Sequence, residues 1–375
     1  MYYKQYGNTN MRVSAVGFGT MRYSDEDIEA GRYEKCAEVV QYAYEKGINY
    51  FDTAPFYCRD KSEIITGMAL SCFKRDSYFL SSKTNFGAVG SPVNRDNFFK
   101  RLETSLTRLK TGYLDFYHLW CMLTPADFEK QCGALYSFFE EAKREGMIRN
   151  IVCSVHLQGD DIQAVVETGK FKGLLLGYNA LNYQFRQSGI EAAYRNGMGV
   201  VVMNPLGGGL IPQNPDTFSY LCGDSELTVA QAALRFVASH EEITVTLAGC
   251  TTKKHVDDAV KAVENLKERP AREVCETYEK ADGVSLNDLC TSCGYCNHCP
   301  VEIPIPKLMD AYNHKILTGD FNMIPFRLAD HWDIPISWAE KCVACGKCER
   351  LCTQHLPIIN RFREIVELSR KGAAQ

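Results

Sequence analysis

The chain has 375 residues, which is enough for two or three domains, and its hydrophobic fraction of 45% is that of an ordinary globular protein. A formal net charge of -4 gives no general attraction to nucleic acid or to anionic membranes. The polar N-terminus lacks the apolar core of a signal peptide, and no apolar run approaches the roughly 20 residues of a membrane helix. With 17 cysteines, nine of them scattered outside two C-terminal runs, we expect reduced thiols and a cytoplasmic protein.

Residues 2–13 predict a short hairpin, and short apolar runs then alternate with helical patterns eight times. The predicted strands are 16–20, 49–52, 78–82, 113–119, 150–153, 174–177, 199–203 and 244–248. The predicted helices are 33–46, 62–71, 93–109, 126–145, 160–168, 189–196, 228–239 and 253–266. Strands alternating with helices predict a parallel sheet, and eight units in about 250 residues favour a closed (β/α)8 TIM barrel. No GxGxxG motif follows the first strand, which weakens the alternative of an open doubly wound sheet.

Two runs of four cysteines organise the last quarter of the chain. The runs are Cys290, Cys293, Cys296 and Cys299, and then Cys342, Cys345, Cys348 and Cys352. Bacterial ferredoxins bind two [4Fe-4S] clusters with C-x2-C-x2-C-x3-C-P runs, and the fourth cysteine of each run ligates the other cluster. The second run has this spacing but carries Thr353 in place of proline. The first run is followed by Pro300 and is one residue short.

Zinc sites and disulfides are the competing interpretations of these cysteines. A zinc ribbon needs only two C-x2-C pairs separated by a dozen or more residues, whereas here the third and fourth cysteines follow at once. The spacing therefore favours two [4Fe-4S] clusters. By the ferredoxin pattern, one cluster takes Cys290, Cys293, Cys296 and Cys352, and the other takes Cys342, Cys345, Cys348 and Cys299.

The barrel pattern fades after Leu266, and the cysteine runs follow. We therefore expect a barrel domain over residues 1–270 and a mainly helical, ferredoxin-like domain over residues 271–375. Helical patterns at 306–317 and 358–370 are consistent with that class.

Titratable side chains stand at or just after the ends of three neighbouring predicted strands. These side chains are Asp52, Tyr57, Lys83 and His118. The active sites of (β/α)8 barrels lie at the C-terminal ends of the strands, so we expect these groups to converge. Reduction of a carbonyl needs a hydride at carbon and a proton at oxygen. A tyrosine whose pKa is lowered by a nearby ammonium can supply that proton, and a histidine can orient the oxygen. Taken singly, each residue is more simply a helix cap, a packing group or a surface charge, but together they favour a catalytic site.

The chain resembles the aldo/keto reductase family, and more narrowly its branch with a C-terminal ferredoxin-like [4Fe-4S] extension. The resemblance covers essentially the whole chain and is carried by Asp52–Tyr57, Lys83–Thr84, Tyr117–His118 and the first cysteine run. It implies reduction of an aldehyde or ketone by hydride transfer from NADP(H). It implies Tyr57 as the general acid, Asp52 and Lys83 as the pair that adjusts its pKa, and His118 as the residue that orients the carbonyl.

The resemblance also implies a nicotinamide site with some departures from the family pattern. Ser154 is expected at the carboxamide, but Val155 stands where asparagine is usual and Leu175 where glutamine is usual. Tyr178 is expected to stack on the nicotinamide ring, with Asn179 beside it.

Two further segments resemble the family's phosphate-binding loops. The loop at 203–209, with Pro205, Leu206 and Gly207, is expected to cover the pyrophosphate. The segment at 249–254, with Gly249, Thr251, Lys253 and Lys254, is expected to hold the adenosine phosphate, because backbone N–H groups at a helix start favour an anion. The two lysines favour NADP over NAD, whereas Ala259 stands where an asparagine often contacts adenine.

Nicotinamides deliver two electrons as hydride, whereas each cubane normally carries one, and the sequence has no recognisable flavin motif. Three hypotheses follow. The barrel is a carbonyl reductase with structural or redox-sensing clusters, or the clusters feed it electrons from a ferredoxin, another redox protein or a bound flavin. Alternatively, the protein is an iron-sulfur electron carrier whose barrel is a binding or regulatory module. A small-molecule carbonyl is the expected substrate, with no nucleic-acid or membrane partner.

Overall fold

The computed structural model describes residues 1–157, 159–278, 288–290, 293–330 and 332–372. The chain divides into two compact units. The first comprises Met1–Pro205 and Tyr220–Lys280, and the second comprises Leu206–Ser219 and Ala281–Gln375. The domain boundary expected at residue 270 stays a prediction. Among the described residues, no helix combines the length and apolar character needed to span a bilayer.

Ten strands form a hairpin and a closed barrel in the first unit. They are β1 Tyr3–Gln5, β2 Arg12–Ser14, β3 Val16–Gly19, β4 Tyr50–Asp52, β5 Phe79–Thr84, β6 Leu114–Met122, β7 Ile148–Val155, β8 Gly173–Gly177, β9 Gly199–Met203 and β10 Val245–Ala248. β1 and β2 pair antiparallel, while β3 to β10 are parallel and close in the order β10-β3-β4-β5-β6-β7-β8-β9. The predicted (β/α)8 class is confirmed, since all eight predicted strands are present.

Alternate residues of the strands fill the barrel. The interior cluster contains Tyr6, Val13, Tyr50, Phe116, Val152, Leu175, Val201, Val245 and Leu247. Tyr6 enters from the hairpin, and it fits because Gly173 and Gly199 present no side chain where a Cβ would collide with its ring. Side chains two positions apart on a strand share a face. The residues two positions beyond Tyr50, Phe116 and Val152 therefore also face the interior, at the C-terminal ends of their strands.

The helices follow the strands as the sequence predicts. In the first unit they are Asp25–Glu29, Tyr33–Glu45, Tyr57–Asp60, Ser62–Leu70, Phe86–Val89, Arg95–Leu109, Pro125–Arg144, Gly159–Glu167, Gln187–Arg195, Val229–Ala238, Lys253–Ala262 and Ala271–Tyr278. The sequence contains recognisable signals for the starts of two of these helices. Thr124 accepts from the Asp127 N–H with proline next in the chain, and Thr228 forms a capping box with Gln231. The helix predicted over 253–266 ends at Ala262, and Asn265 then adopts a left-handed backbone at φ 51°.

The second unit is mainly helical. Its described α-helices are Leu210–Gln213, Ile305–Thr318, Met323–Asp330, Lys347–Arg350 and Ile358–Gly372. Residues from four of them form its core, among them Leu308, Met309, Ile324, Leu328, Cys348, Phe362 and Ile365. Trp332 and Trp338 pack against this core, so the residues between the two cysteine runs belong to a folded body with its own apolar interior.

Candidate functional site

A buried ion pair lies at the C-terminal ends of β4 and β5. Lys83 Nζ donates to Asp52 Oδ2 at 2.5 Å and to the Thr53 carbonyl at 2.7 Å. The two charged side chains are 1% and 5% exposed. Such a pair is stable only with good geometry and additional hydrogen bonds, and both are present.

Ser81 links this pair to His118. The Ser81 hydroxyl donates to Asp52 Oδ1 at 2.8 Å, and its oxygen lies 3.0 Å from His118 Nε2. Because that hydroxyl proton goes to the carboxylate, the imidazole Nε2–H donates to Ser81. Three of the four sequence-predicted catalytic side chains therefore form one hydrogen-bonded network. Sequence reasoning missed Ser81, although its position two residues before Lys83 places both side chains on one face of β5.

Tyr57 stands on a turn with an unusual backbone. Phe56, Cys58, Arg59 and Asp60 all have positive φ, between 50° and 70°. Non-glycine residues seldom adopt this conformation, and it persists only where surrounding contacts enforce it.

An ion pair closes this turn. Asp60 receives two 2.7 Å bonds from Arg108, and its carboxylate also accepts the Phe56 N–H at 3.3 Å. Arg108 is in turn 3.5 Å from Glu63, which is buried and accepts from Ser82 at 2.8 Å. The tyrosine is thus carried by a turn that is tied to the barrel wall.

Lys83 Nζ lies 5.2 Å from the centroid of the Tyr57 ring. The pKa of Tyr57 is nevertheless raised well above its ordinary value, first by burial and then by the negative charge of Asp52. The Lys83 ammonium donates its hydrogen bonds to Asp52 and Thr53. Burial and the Lys83 charge hold the pKa of His118 well below its ordinary value, so its imidazole is neutral.

An aromatic wall adjoins the tyrosine. Trp120 meets Tyr57 edge-on at 5.8 Å between ring centroids, and Phe56 lies over Trp120 at 6.5 Å. The Phe56 side chain is 54% exposed. A wall of this kind suits an apolar or aromatic molecule beside the phenol.

Ser154 lies at the C-terminal end of β7, on the same interior face as Val152. Its hydroxyl is buried and has no hydrogen-bond partner among the described residues. An orphaned buried hydroxyl costs free energy unless a bound molecule engages it. Ser154 therefore fits a polar ligand group such as a carboxamide.

Tyr178 and Asn179 make contacts within the protein, and their expected roles at the nicotinamide stay predictions. Tyr178 is fully buried, its ring stacks on Phe236 at an interplanar angle of 9°, and its hydroxyl is 3.0 Å from His240 Nε2. In this position its face is not open to a nicotinamide. Asn179 organises its own loop, because its side chain donates to the Asn204 carbonyl and accepts from the Leu181 N–H.

The expected pyrophosphate loop is divided between the two units. Pro205 ends a segment of the first unit, whereas Leu206 and Gly207 begin a segment of the second. Gly207, Gly208 and Gly209 have φ values of 61°, 72° and 99°. Three successive positive φ values explain the glycine run, because side chains strain that conformation.

The expected adenosine-phosphate segment contains the start of the helix Lys253–Ala262. Thr252 caps this helix by accepting the His255 N–H at 3.2 Å, and the Thr251 hydroxyl is 3.1 Å from His255 Nδ1. Lys253 Nζ lies 5.4 Å from the Tyr42 ring centroid, whereas Lys254 pairs with Asp258 at 2.8 Å. The backbone around Gly249 leaves room for a side chain, since a Cβ there would meet its nearest atoms at 3.8 Å and 3.9 Å.

Two cavities in the second unit divide the eight cysteines into two sets. The first set lines one cavity and comprises Cys290, Cys293, Cys296 and Cys352. The second set lines the other cavity and comprises Cys299, Cys342, Cys345 and Cys348. This is the division that the ferredoxin pattern predicts. Among the described residues, no three histidine, cysteine or acidic side chains are arranged to hold a single metal ion.

The first set has the chemistry of a site that needs a cationic group. The pKa of Cys296 is raised to about 12, first by burial and then by the neighbouring Cys293 and Cys352 sulfurs. Iron would compensate that repulsion between thiolates. Asn313 fixes Cys290 from both sides, accepting its N–H at 2.8 Å and donating to its carbonyl at 2.7 Å. No sequence motif pointed to Asn313.

The fold is a (β/α)8 barrel, and barrels of this kind carry their active sites at the C-terminal ends of the strands. Here that end holds a buried lysine–aspartate pair near a tyrosine. The model of the aldo/keto reductase family matches residues 15–279, and that of a 4Fe-4S dicluster domain matches residues 289–357. The chain therefore belongs to the aldo/keto reductase family, and it carries a C-terminal 4Fe-4S dicluster domain. It is an oxidoreductase of that family.

Characterised relatives are distant. A protein named NADH-specific methylglyoxal reductase from Escherichia coli is 24% identical over 73% of this chain and 98% of its own length. L-galactose dehydrogenase from Arabidopsis thaliana is 25% identical over 69% of this chain and 87% of its own. The holo form of an aldo-keto reductase from Bacillus halodurans superposes with a TM-score of 0.61 at 24% identity, over 75% of this chain and 97% of that one. This last likeness supports the fold alone.

Proposed function

We propose that this protein reduces an aldehyde or ketone with NADP(H), and that Tyr57 donates the proton to the carbonyl oxygen. The observation that carries the proposal is the Lys83–Asp52 pair, buried at 2.5 Å with Lys83 lying 5.2 Å from the Tyr57 ring centroid. A buried ion pair is costly to assemble, so one at the C-terminal mouth of a barrel is better explained by catalysis than by stability alone.

Each side chain of the network has a task in this reaction. A bound nicotinamide would supply the hydride to the carbonyl carbon. Tyr57 holds its proton at neutral pH because its pKa is raised, and it releases that proton to the oxygen as negative charge develops there. Lys83 then stabilises the resulting phenolate. His118 is neutral, so it does not compete for the proton. Its one N–H donates to Ser81 in the free protein and would shift to the carbonyl oxygen of a bound substrate.

The decisive experiment replaces the phenol alone. Tyr57→Phe is expected to abolish NADPH-dependent reduction of a small aldehyde while NADPH binding, measured by fluorescence titration, is retained. Tyr194→Phe removes the hydroxyl of a half-exposed tyrosine on the helix Gln187–Arg195 and is the matched control. Retained turnover in Tyr57→Phe means that another group supplies the proton, and the proposal then fails.

NADP is proposed over NAD because of Lys253 and Lys254. Lys254 is 77% exposed and held by Asp258, so it can turn to a phosphate at little cost. The relative from Escherichia coli is named as NADH-specific, so a preference for NAD is the alternative to test. The double variant Lys253→Gln, Lys254→Gln is expected to raise KM for NADPH about tenfold and to leave KM for NADH unchanged. An equal effect on both cofactors would contradict a 2′-phosphate site.

Two [4Fe-4S] clusters are proposed for the two cysteine sets, with a one-electron redox protein such as a ferredoxin as their partner. The support is that each set of four cysteines lines its own cavity. The anaerobically purified protein is expected to hold about eight irons per chain. Cys345→Ser, which alters the exposed member of the second set, is expected to lower that number to about four.

The alternative function is that of an iron-sulfur electron carrier in which the barrel is a binding or regulatory module. It is favoured by Val155 and Leu175, which replace the amides usual at the carboxamide, and by the buried ring of Tyr178. Anaerobic titration with NADPH, followed by electron paramagnetic resonance, separates the proposals. A reduced-cluster signal means that nicotinamide and clusters exchange electrons. Absence of NADPH binding favours the carrier.

A further inference from the structure

The residue after the last cysteine of the second run makes a contact that the usual proline could not make. Thr353 is 2% exposed, and its Oγ1 lies 3.5 Å from Cys293 Sγ in the first cavity. A cysteine bound to iron is a thiolate and has no proton, so the threonine hydroxyl must be the donor. The Leu356 N–H also donates to a sulfur of this set, that of Cys352, at 3.4 Å.

A buried arginine lies beside the same set of cysteines. Arg361, in the helix Ile358–Gly372, has a side chain only 4% exposed, and its carboxylate neighbour Asp288 is 3.7 Å away and 64% exposed. Its guanidinium carbon is 4.8 Å from the Tyr312 ring centroid, and Nη1 has no hydrogen-bond partner among the described residues. Its two neighbours lead to this set of cysteines, because Asp288 stands two residues before Cys290 and Tyr312 directly precedes Asn313, whose side chain bonds the Cys290 backbone on both sides. An exposed carboxylate compensates such a buried cation only in part, because water screens it.

The second cavity has a different environment. Cys345 is exposed, and so are its neighbours Val343, Ala344 and Lys347, which also line the cavity. Water and mobile ions therefore reach the second set, whereas the described residues that line the first cavity are all buried or partly buried. Fixed dipoles and charges act more strongly in a buried site than at a surface.

Reduction adds one electron, and hence one negative charge, to a cluster and its four thiolates. Hydrogen bonds to the sulfurs and a nearby positive charge stabilise the reduced state, and both are known determinants of cluster potential. We propose that Thr353 and Arg361 are redox-tuning residues, which raise the reduction potential of the cluster held by Cys290, Cys293, Cys296 and Cys352. This inference rests on the proposed presence of two [4Fe-4S] clusters. With the higher reduction potential, this first cluster would be reduced before the second when an electron enters the domain.

The test is a redox titration of the full-length holoprotein, followed by electron paramagnetic resonance, with iron content measured on each sample. Thr353→Val keeps the shape of the side chain and removes the donor, and Arg361→Met removes the charge. Each is expected to lower the reduced-to-oxidised ratio of one cluster about tenfold at a fixed solution potential, which is 59 mV for a one-electron couple. The same midpoint must move in both variants. Thr353→Ser and Arg361→Lys, which retain the hydroxyl and the charge, are expected to restore most of the effect.

Two matched controls separate tuning from general damage. Arg363→Met removes an exposed arginine from the same helix, and Lys347→Met removes a cation beside the second cavity. Neither is expected to move the midpoint that Thr353→Val moves. Full iron content with unmoved midpoints in both Thr353→Val and Arg361→Met overturns the inference but leaves the proposed clusters standing. A wild-type holoprotein without cubane signals overturns the proposed clusters and the inference together.

Discussion

Lys83 and Asp52 form a 2.5 Å ion pair in the barrel interior, and both side chains are almost completely buried. The pKa of Tyr57 is raised first by burial and then by the charge of Asp52. A free ammonium would lower the pKa of the phenol, but one that is paired leaves burial and the Asp52 charge to raise it. In the proposed reaction the free protein would therefore present a proton donor, and Lys83 would stabilise a phenolate only once one forms.

Breaking the pair should destabilise the fold as well as stop catalysis. Asp52→Asn leaves the Lys83 ammonium buried without a counter-charge, and we expect a loss of about 3–5 kcal/mol in the free energy of unfolding. The double variant Asp52→Leu, Lys83→Met removes both charges and should lose much less. The measurement is thermal unfolding of the holoprotein by circular dichroism. Equal losses in the single and double variants would show that the two charges are not coupled.

Carbonyl reduction should be independent of pH over a wide interval. The pKa of Tyr57 lies well above 10.0 and that of His118 well below 6.5, so neither group changes protonation between those values. Tyr57 remains a proton donor and His118 remains neutral throughout. The measurement is kcat/KM for a small aldehyde with NADPH at constant ionic strength. If kcat/KM changes with pH within this interval, and the change disappears in His118→Gln, the imidazole is not neutral throughout.

Regular features of the molecule could be predicted from the sequence because they repeat. Eight apolar runs alternating with helical patterns are enough to indicate the barrel, and all eight strands are present. The spacing of the cysteines was likewise enough to divide them into the two sets that line the cavities. Both features depend on local periodicity or on fixed spacing along the chain.

Features that depend on contacts between distant residues could not be predicted in the same way. The positive φ values on both sides of Tyr57 depend on Arg108, which lies 48 residues from its partner Asp60. The assignment of Leu206–Ser219 to the second unit also depends on contacts with residues distant in the chain. The position of Tyr178, by contrast, could have been predicted from the sequence. It stands three positions after the interior residue Leu175, so strand alternation directs it to the outer face.

Ser154 and Ser82 offer a matched pair of buried hydroxyls. The Ser154 hydroxyl has no partner among the described residues, whereas Ser82 donates to Glu63 at 2.8 Å. Ser154→Ala should leave the free energy of unfolding almost unchanged, and Ser82→Ala should lower it by about 1–3 kcal/mol. NADPH affinity should weaken only in Ser154→Ala, because only that hydroxyl is free to bind the carboxamide. Unfolding curves and NADPH titrations of both variants provide the measurement. Unchanged NADPH affinity in Ser154→Ala would remove Ser154 from the cofactor site.

Asp60 should act as a positioning residue for Tyr57 even though it takes no part in the chemistry. Its two 2.7 Å bonds from Arg108 hold a turn in which four residues have positive φ, a conformation that relaxes when the anchor is lost. Asp60→Asn should lower kcat for carbonyl reduction about tenfold or more, because a small displacement of the phenol misaligns proton transfer, while KM for NADPH stays within about twofold.

The matched control for Asp60 is a neighbouring residue of the same turn. Arg59→Gln removes an exposed salt bridge to Glu29, and it should leave both kinetic parameters near their original values. Arg108→Lys keeps the charge but loses the paired geometry, so its effect should fall between those of the other two variants. Equal kcat values in Asp60→Asn and Arg59→Gln would mean that the turn holds its shape without the Arg108 anchor. The positive backbone angles around Tyr57 would then have to be maintained by packing alone.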